Sequence, residues 1–93
     1  KIKTLIMNFS VKGKLHKIFP TEKKSDKLEI RDFVIKTEEQ YPQYIKFQLM
    51  NDKTSQVDEF SEGQNIAVSF NLRGRENDGK FYTNLQAWKV VSN

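Results

Sequence analysis

The 93 residues, 37% hydrophobic and 30% charged, make one small domain with a compact core, too short for a two-lobed enzyme with a cleft between lobes. Cysteine is absent, which excludes disulfide scaffolds, thiolate zinc centres and cysteine nucleophiles, and suits a reducing, cytoplasmic setting. The net charge of +4 is uneven: residues 1–24 and 73–93 are basic and residues 25–72 acidic, so ends that meet in space would make a positive surface for a polyanion.

The same lysines would also serve solubility alone. The longest apolar run, Leu5-Ile6-Met7, is too short for a membrane span or a signal-peptide core, so no membrane partner is expected. Residues 1–7 read as an N-terminal extension, with Met7 an alternative start, or as a short edge strand. Residues 8–93 read as the folded domain.

Along the chain, residues 9–19 alternate apolar and polar around Gly13, with Val11 and Leu15 on one face. A glycine inside a strand marks a bulge or a bend, and a bent first strand serves two sides of a barrel. Pro20 ends this strand and Thr21 to Lys27 read as a polar loop. The second strand, Glu29 to Thr37, has Ile30 and Val34 alternating against Phe33 and Ile35, and Glu38 to Pro42 form a turn. In the third strand, 43–50, Ile45, Phe47 and Leu49 point one way and Tyr44, Lys46 and Gln48 the other.

Residues 51–62 break the alternation. A short helix is expected there, capped by Asp52 or Thr54, with Val57 and Phe60 on its inner side and Gly63 ending it. From Gln64 the alternation is strict, with Ile66, Val68, Phe70 and Leu72 inward and Ala67, Ser69, Asn71 and Arg73 outward. Asn77-Asp78-Gly79 is a tight hairpin signal. A fifth strand follows over Lys80 to Val91, with Leu85 and Ala87 inward and Tyr82 and Trp88 on the outer surface or rim. Three strands, a short helix and two strands give an all-β fold, the five-stranded Greek-key OB barrel with its helix between strands three and four.

Catalysis finds little support. His16 is the sole histidine, with no acidic residue fixed beside it. Glu38-Glu39 and Asp58-Glu59 are adjacent pairs, which on a strand point to opposite faces. No phosphate loop, dinucleotide fingerprint or metal-ligand cluster is present, so neither a cofactor nor a metal nor an enzyme is expected.

Single strands are held by cations along the phosphates and by rings under the bases, and this chain interleaves the two. Arg73 and Arg75 lead into the hairpin and Lys80, Phe81 and Tyr82 lead out of it. Trp88 and Lys89 end the same strand. Tyr44 and Lys46 share the outer side of the third strand. Arg31 and Lys36 lie on the second and Lys14 on the first. In OB barrels nucleic acid crosses the second and third strands between the first-second and fourth-fifth loops, which here carry Lys23, Lys24 and Lys27, and Arg75 with Lys80. The structural alternatives are that Phe33, Phe47, Phe60 and Phe70 build the core, that Tyr44, Tyr82 and Trp88 pack a rim or a subunit interface, and that Arg73 and Arg75 pair with Glu76 or Asp58.

The segments Arg31–Pro42, Val68–Glu76 and Gly79–Val90, with their tyrosine-proline turn and their closing alanine-tryptophan-lysine, resemble a small bacterial family of unknown function regarded as an OB-fold relative of single-stranded DNA-binding protein. The resemblance covers residues 8 to 91. A looser likeness to single-stranded DNA-binding protein itself lies in Val11-Lys12-Gly13-Lys14-Leu15, in the Glu62-Gly63 turn and in the glycine-aromatic hairpin. These residues lack the long acidic-tipped tail by which such proteins recruit partners, so recruitment by that route is not expected. The resemblance implies a homo-oligomer, a dimer or tetramer through first-strand pairing. Sequence-tolerant binding of single-stranded DNA is the expected function. A protein-interaction or assembly module is the alternative, and single-stranded RNA is a further ligand that no residue pattern here separates from DNA.

Overall fold

The computed structural model describes residues 9–93. The expectations for residues 1–7, and the domain boundary at residue 8, lie outside them. The elements in chain order are β1 (Phe9–Ile18), β2 (Glu22–Ser25), β3 (Leu28–Lys36), β4 (Tyr44–Met50), a 3₁₀ helix (Asn51–Glu59), β5 (Asn65–Asn77) and β6 (Lys80–Ser92). Pairing runs β1-β5-β6-β4-β3, and β1 also pairs β3, so five strands close into a ring while β2 hangs on the outer edge of β3. All pairings are antiparallel except β4 with β6, which meet in parallel at Gln48 and Gln86. This is the OB barrel expected, with one accessory strand.

The ring closes because β1 changes partner midway. Phe9 to Lys14 pair with β5, and Lys14 to Ile18 pair with the end of β3. At the crossing a Cβ on Gly13 would lie 2.7 Å from the Lys36 carbonyl oxygen, so the backbones approach where no side chain fits. Three residues later the ladder skips His16 in a bulge, after which Ile18 packs against the core as Leu15 does. A second bulge, at Trp88 in β6, lets both Ala87 and Val90 face inward.

The interior is filled by Leu15, Phe33, Ile35, Phe47, Leu49, Ile66 and Val68, with Val57 of the 3₁₀ helix plugging one end. The alternation read in β3 and β4 therefore holds, and in β5 it holds for Ile66, Val68 and Phe70, whereas Leu72, expected inward, is 41% exposed because β5 has by then left the barrel for the hairpin. The helix differs from expectation. It is 3₁₀, neither Asp52 nor Thr54 caps it, and Thr54 Oγ1 instead donates to the Asn51 carbonyl at 2.9 Å. It stops at Glu59, and Gly63 shapes the next turn at φ +97° with its N–H donating to the Leu15 carbonyl. The hairpin turn is Asp78-Gly79, both at positive φ as a type I′ turn requires. Asn71 to Asn77 stay paired with Lys80 to Gln86 while most of these residues are exposed, so the hairpin projects as an arm.

Gly13→Ala should lower stability by about 1–3 kcal/mol, the range for overpacking. A shifted urea midpoint with an unchanged slope would show it, and an unchanged midpoint would mean that the crossing relaxes freely.

Candidate nucleic-acid interface

The outer sides of β3 and β4 are set by the alternation that fills the core. Since Phe33, Ile35, Phe47 and Leu49 point inward, Ile30, Asp32, Val34 and Lys36 point outward beside Met50, Gln48, Lys46 and Tyr44. The Lys36 ammonium lies 5.8 Å from the centre of the Tyr44 ring, and His16 meets the same ring edge-on at 5.0 Å. Tyr44 remains 60% exposed, so much of the ring is open to a ligand. Lys14 sits directly across from Lys36 in the ladder and is held by Glu38 at 3.1 Å. Lys17 neighbours Val34 and lies 5.5 Å from the centre of the Phe19 ring.

This outer face continues onto the arm. Gln48 and Gln86 are register partners, and Arg73 Nε donates to Gln86 Oε1 at 3.0 Å. Alternation then puts Arg73 with Asn84, Arg75 with Tyr82, and Asn77 with Lys80 on the same side. The Arg75 guanidinium lies 5.5 Å from the Tyr82 ring centre. Beyond the Gln48–Gln86 pairing a groove of about 290 Å³ opens between β4 and β6, lined by Asp32, Lys46 and Gln48 on one bank and Thr83, Asn84 and Leu85 on the other. A second groove, of about 300 Å³, is lined by Phe19, Pro20, Glu22, Ile30, Asp32 and Lys46. Asp32 and Lys46 border both, so the two form one track from the β1–β2 connection to the arm.

Lys14, Lys36, Tyr44, Lys46, Arg73, Arg75, Lys80 and Tyr82 therefore share one outer face. Arg31 and Trp88 do not join it. Arg31 has the inward parity of Phe33 and reaches the plugged end of the barrel. There Nε donates to the Phe19 carbonyl at 3.0 Å, and NH1 donates to the Thr54 carbonyl at 3.2 Å and to Asp58 Oδ1 at 2.7 Å. Its side chain is only 17% exposed, so Asp58 takes Arg31 rather than Arg73 or Arg75. Trp88 is the half-buried bulge residue, its carbonyl accepting from Gln56 Nε2 of the 3₁₀ helix at 2.9 Å, and it lines neither groove.

The sequence reading did not name His16, Lys17, Phe19, Asp32 and Gln48 as binding residues, although it placed Gln48 on the outward side of its strand. His16 is the bulge residue that breaks the period and Lys17 follows it, while Phe19 depends on the fold of the next connection. That connection is the accessory strand β2, which pairs with β3 through a turn at Asp26-Lys27. On β2 the Lys24 ammonium hydrogen-bonds Glu22 at 2.9 Å and adds its charge, holding that carboxyl below the usual carboxylate range, while Lys24 is raised in turn.

The ring order, the helical plug and the long last hairpin define an OB-fold barrel of the kind built by single-stranded DNA-binding proteins. The chain belongs to the family described as Domain of unknown function (DUF3127), whose pattern matches residues 10–91. No curated protein matches it in sequence. Among solved structures it is similar to the mitochondrial single-stranded DNA-binding protein Rim1 of S. cerevisiae, with a TM-score of 0.75 at 10% identity over 91% of this chain and 92% of that one. It is also similar to the SSB domain of a Synechococcus protein, with a TM-score of 0.73 at 12% identity over 96% and 98%. The dimeric N-terminal domain of PriB from Thermoanaerobacter tencongensis gives 0.67 at 11% over 94% and 96%. At these identities the likeness establishes the fold.

Arg31→Ala should cost about 1.5–3 kcal/mol, the worth of hydrogen bonds to a charged group. Chemical denaturation measures it. Unchanged stability together with lost ligand affinity would move Arg31 into the interface.

Proposed function

We propose that the chain binds single-stranded DNA along the outer face of β3, β4 and the β5–β6 arm, without chemistry and with broad sequence tolerance. The observation that carries this reading is the continuous track bordered by Lys46 and flanked by Lys36 with Tyr44 at one side and Arg73, Arg75 and Tyr82 at the other. Cations spaced along exposed rings are what a flexible polyanion with stacking bases needs. A duplex has no such need, because its bases are already stacked and paired.

Lys14 and Lys36 support the same reading. Like charges directly opposite on two strands destabilise a sheet, and here the pair is relieved by Glu38 on one lysine and the Tyr44 ring beside the other. A face that gathers cations against this cost is suited to an anionic ligand. The structurally similar PriB domain is described as dimeric, which favours a homo-oligomer here too, either dimer or tetramer. Sedimentation velocity tests that part separately.

Fluorescence anisotropy with single-stranded DNA, single-stranded RNA and duplex, at two salt concentrations, tests the reading. Neutralising about three to five phosphates gives a log–log salt slope of roughly −2 to −3.5 for single strands. Tyr44→Ala should weaken binding about 5- to 150-fold, the equivalent of about 1–3 kcal/mol for one stacked base. Equal affinity for duplex, or indifference to both salt and Tyr44→Ala, contradicts the proposal.

A further inference from the structure

We infer that the groove between β2 and β4 is a nucleobase subsite that prefers guanine, read by the Asp32 carboxylate. This rests on the single-strand binding proposed above and adds base preference at one point of the track. The groove's volume of about 300 Å³ lies at the small end of the range for small-molecule sites, room for one planar heterocycle. Its walls are Phe19, Pro20 and Ile30, apolar surface for a ring, with Lys46 at the border where a phosphate would lie.

A carboxylate in the middle of a phosphate-binding face is out of place unless it reads bases. Two carboxylates line this groove, and their situations differ. Glu22 is held by Lys24 at 2.9 Å. Asp32 has no salt bridge among the described residues, and its side chain's one hydrogen bond there is a long one of 3.5 Å, from Gln48 Nε2 to Oδ1. That amide orients the carboxylate and leaves acceptor capacity on both oxygens, each having two lone pairs. Strand alternation fixes Asp32 on the outer face between the two grooves.

Guanine is the base that matches. Its Watson–Crick edge offers two adjacent N–H donors, at N1 and N2, which pair with the two oxygens of a carboxylate. Thymine offers one N–H flanked by two carbonyl oxygens, which a carboxylate repels. Cytosine and adenine each set a single amine beside a ring-nitrogen acceptor. A two-bond contact of this type discriminates by about 5- to 150-fold, and a half-exposed carboxylate belongs near tenfold.

The test uses the whole chain and strands of about twelve nucleotides, within the usual span of one OB fold. One strand is all thymidine, one carries isolated guanines spaced so that no quadruplex forms, and one carries inosine at the same places. The expected order is guanine about tenfold tighter than thymidine, with inosine between them because it lacks the N2 amine. Asp32→Asn, an isosteric change on the outer face, should remove the preference, so that the guanine and thymidine strands bind the variant alike. Equal affinity of the unaltered protein for the guanine and thymidine strands overturns the inference and leaves single-strand binding intact, as does a preference that survives Asp32→Asn. Failure to bind any strand overturns the function proposed above and the inference with it.

Discussion

One backbone contact organises the molecule: the passage of β1 over the end of β3 at Gly13, where the strand leaves β5 for its second partner. A strand that pairs on both sides of a closed sheet has to bend, and the bend brings Gly13 against the Lys36 carbonyl. With closure made there, β3 and β4 turn one side to the core and the other to solvent. The same closure sets Lys14 beside Lys36 and, through the bulge at His16, brings an imidazole to the Tyr44 ring. Barrel closure and the proposed interface thus share a residue: Lys36 supplies a carbonyl to the closure and an ammonium to the outer face.

Much of the barrel was legible because its inward residues repeat with a period of two and because Asp78-Gly79 admits few turns. What escaped did so for identifiable reasons. β2 is exposed throughout, so its sequence Glu-Lys-Lys-Ser carries no apolar alternation and reads as loop. The bulges at His16 and Trp88 each add a residue and invert the phase, which moved Trp88 away from the face on which simple alternation would place it. Arg31 shows the limit of reading charge as function. It has core parity, and it reaches Asp58 only after the chain has passed through β4 and into the 3₁₀ helix. The hairpin signal at Asn77-Asp78-Gly79 was legible, but only the two-residue turn seen in the structure fixes the register that sets Arg75, rather than Arg73, opposite Tyr82.

Electrostatics on the outer face are mixed rather than uniformly positive. Lys36, Lys46, Arg73 and Arg75 lie along the track, while Asp32 and Glu22 interrupt it. Such a surface holds a phosphate chain less tightly than an all-cationic groove. In the proposed binding mode it would gain the ability to distinguish what the ligand carries, because a carboxylate rewards N–H donors and penalises carbonyl oxygens. The Gln48–Gln86 meeting, with Asp32 and Arg73 bonded at its two ends, keeps this polar row in register across the parallel pair β4 and β6.

Mapping amide chemical shifts while single-stranded DNA is added measures the central claim most directly, because it asks where on the barrel the ligand sits. The expected result is a contiguous set of shifts over Lys36, Tyr44, Lys46, Gln48 and Thr83 to Gln86, with the 3₁₀ helix and Trp88 undisturbed. Shifts centred on Trp88 and the 3₁₀ helix, or none at saturating strand, would contradict it.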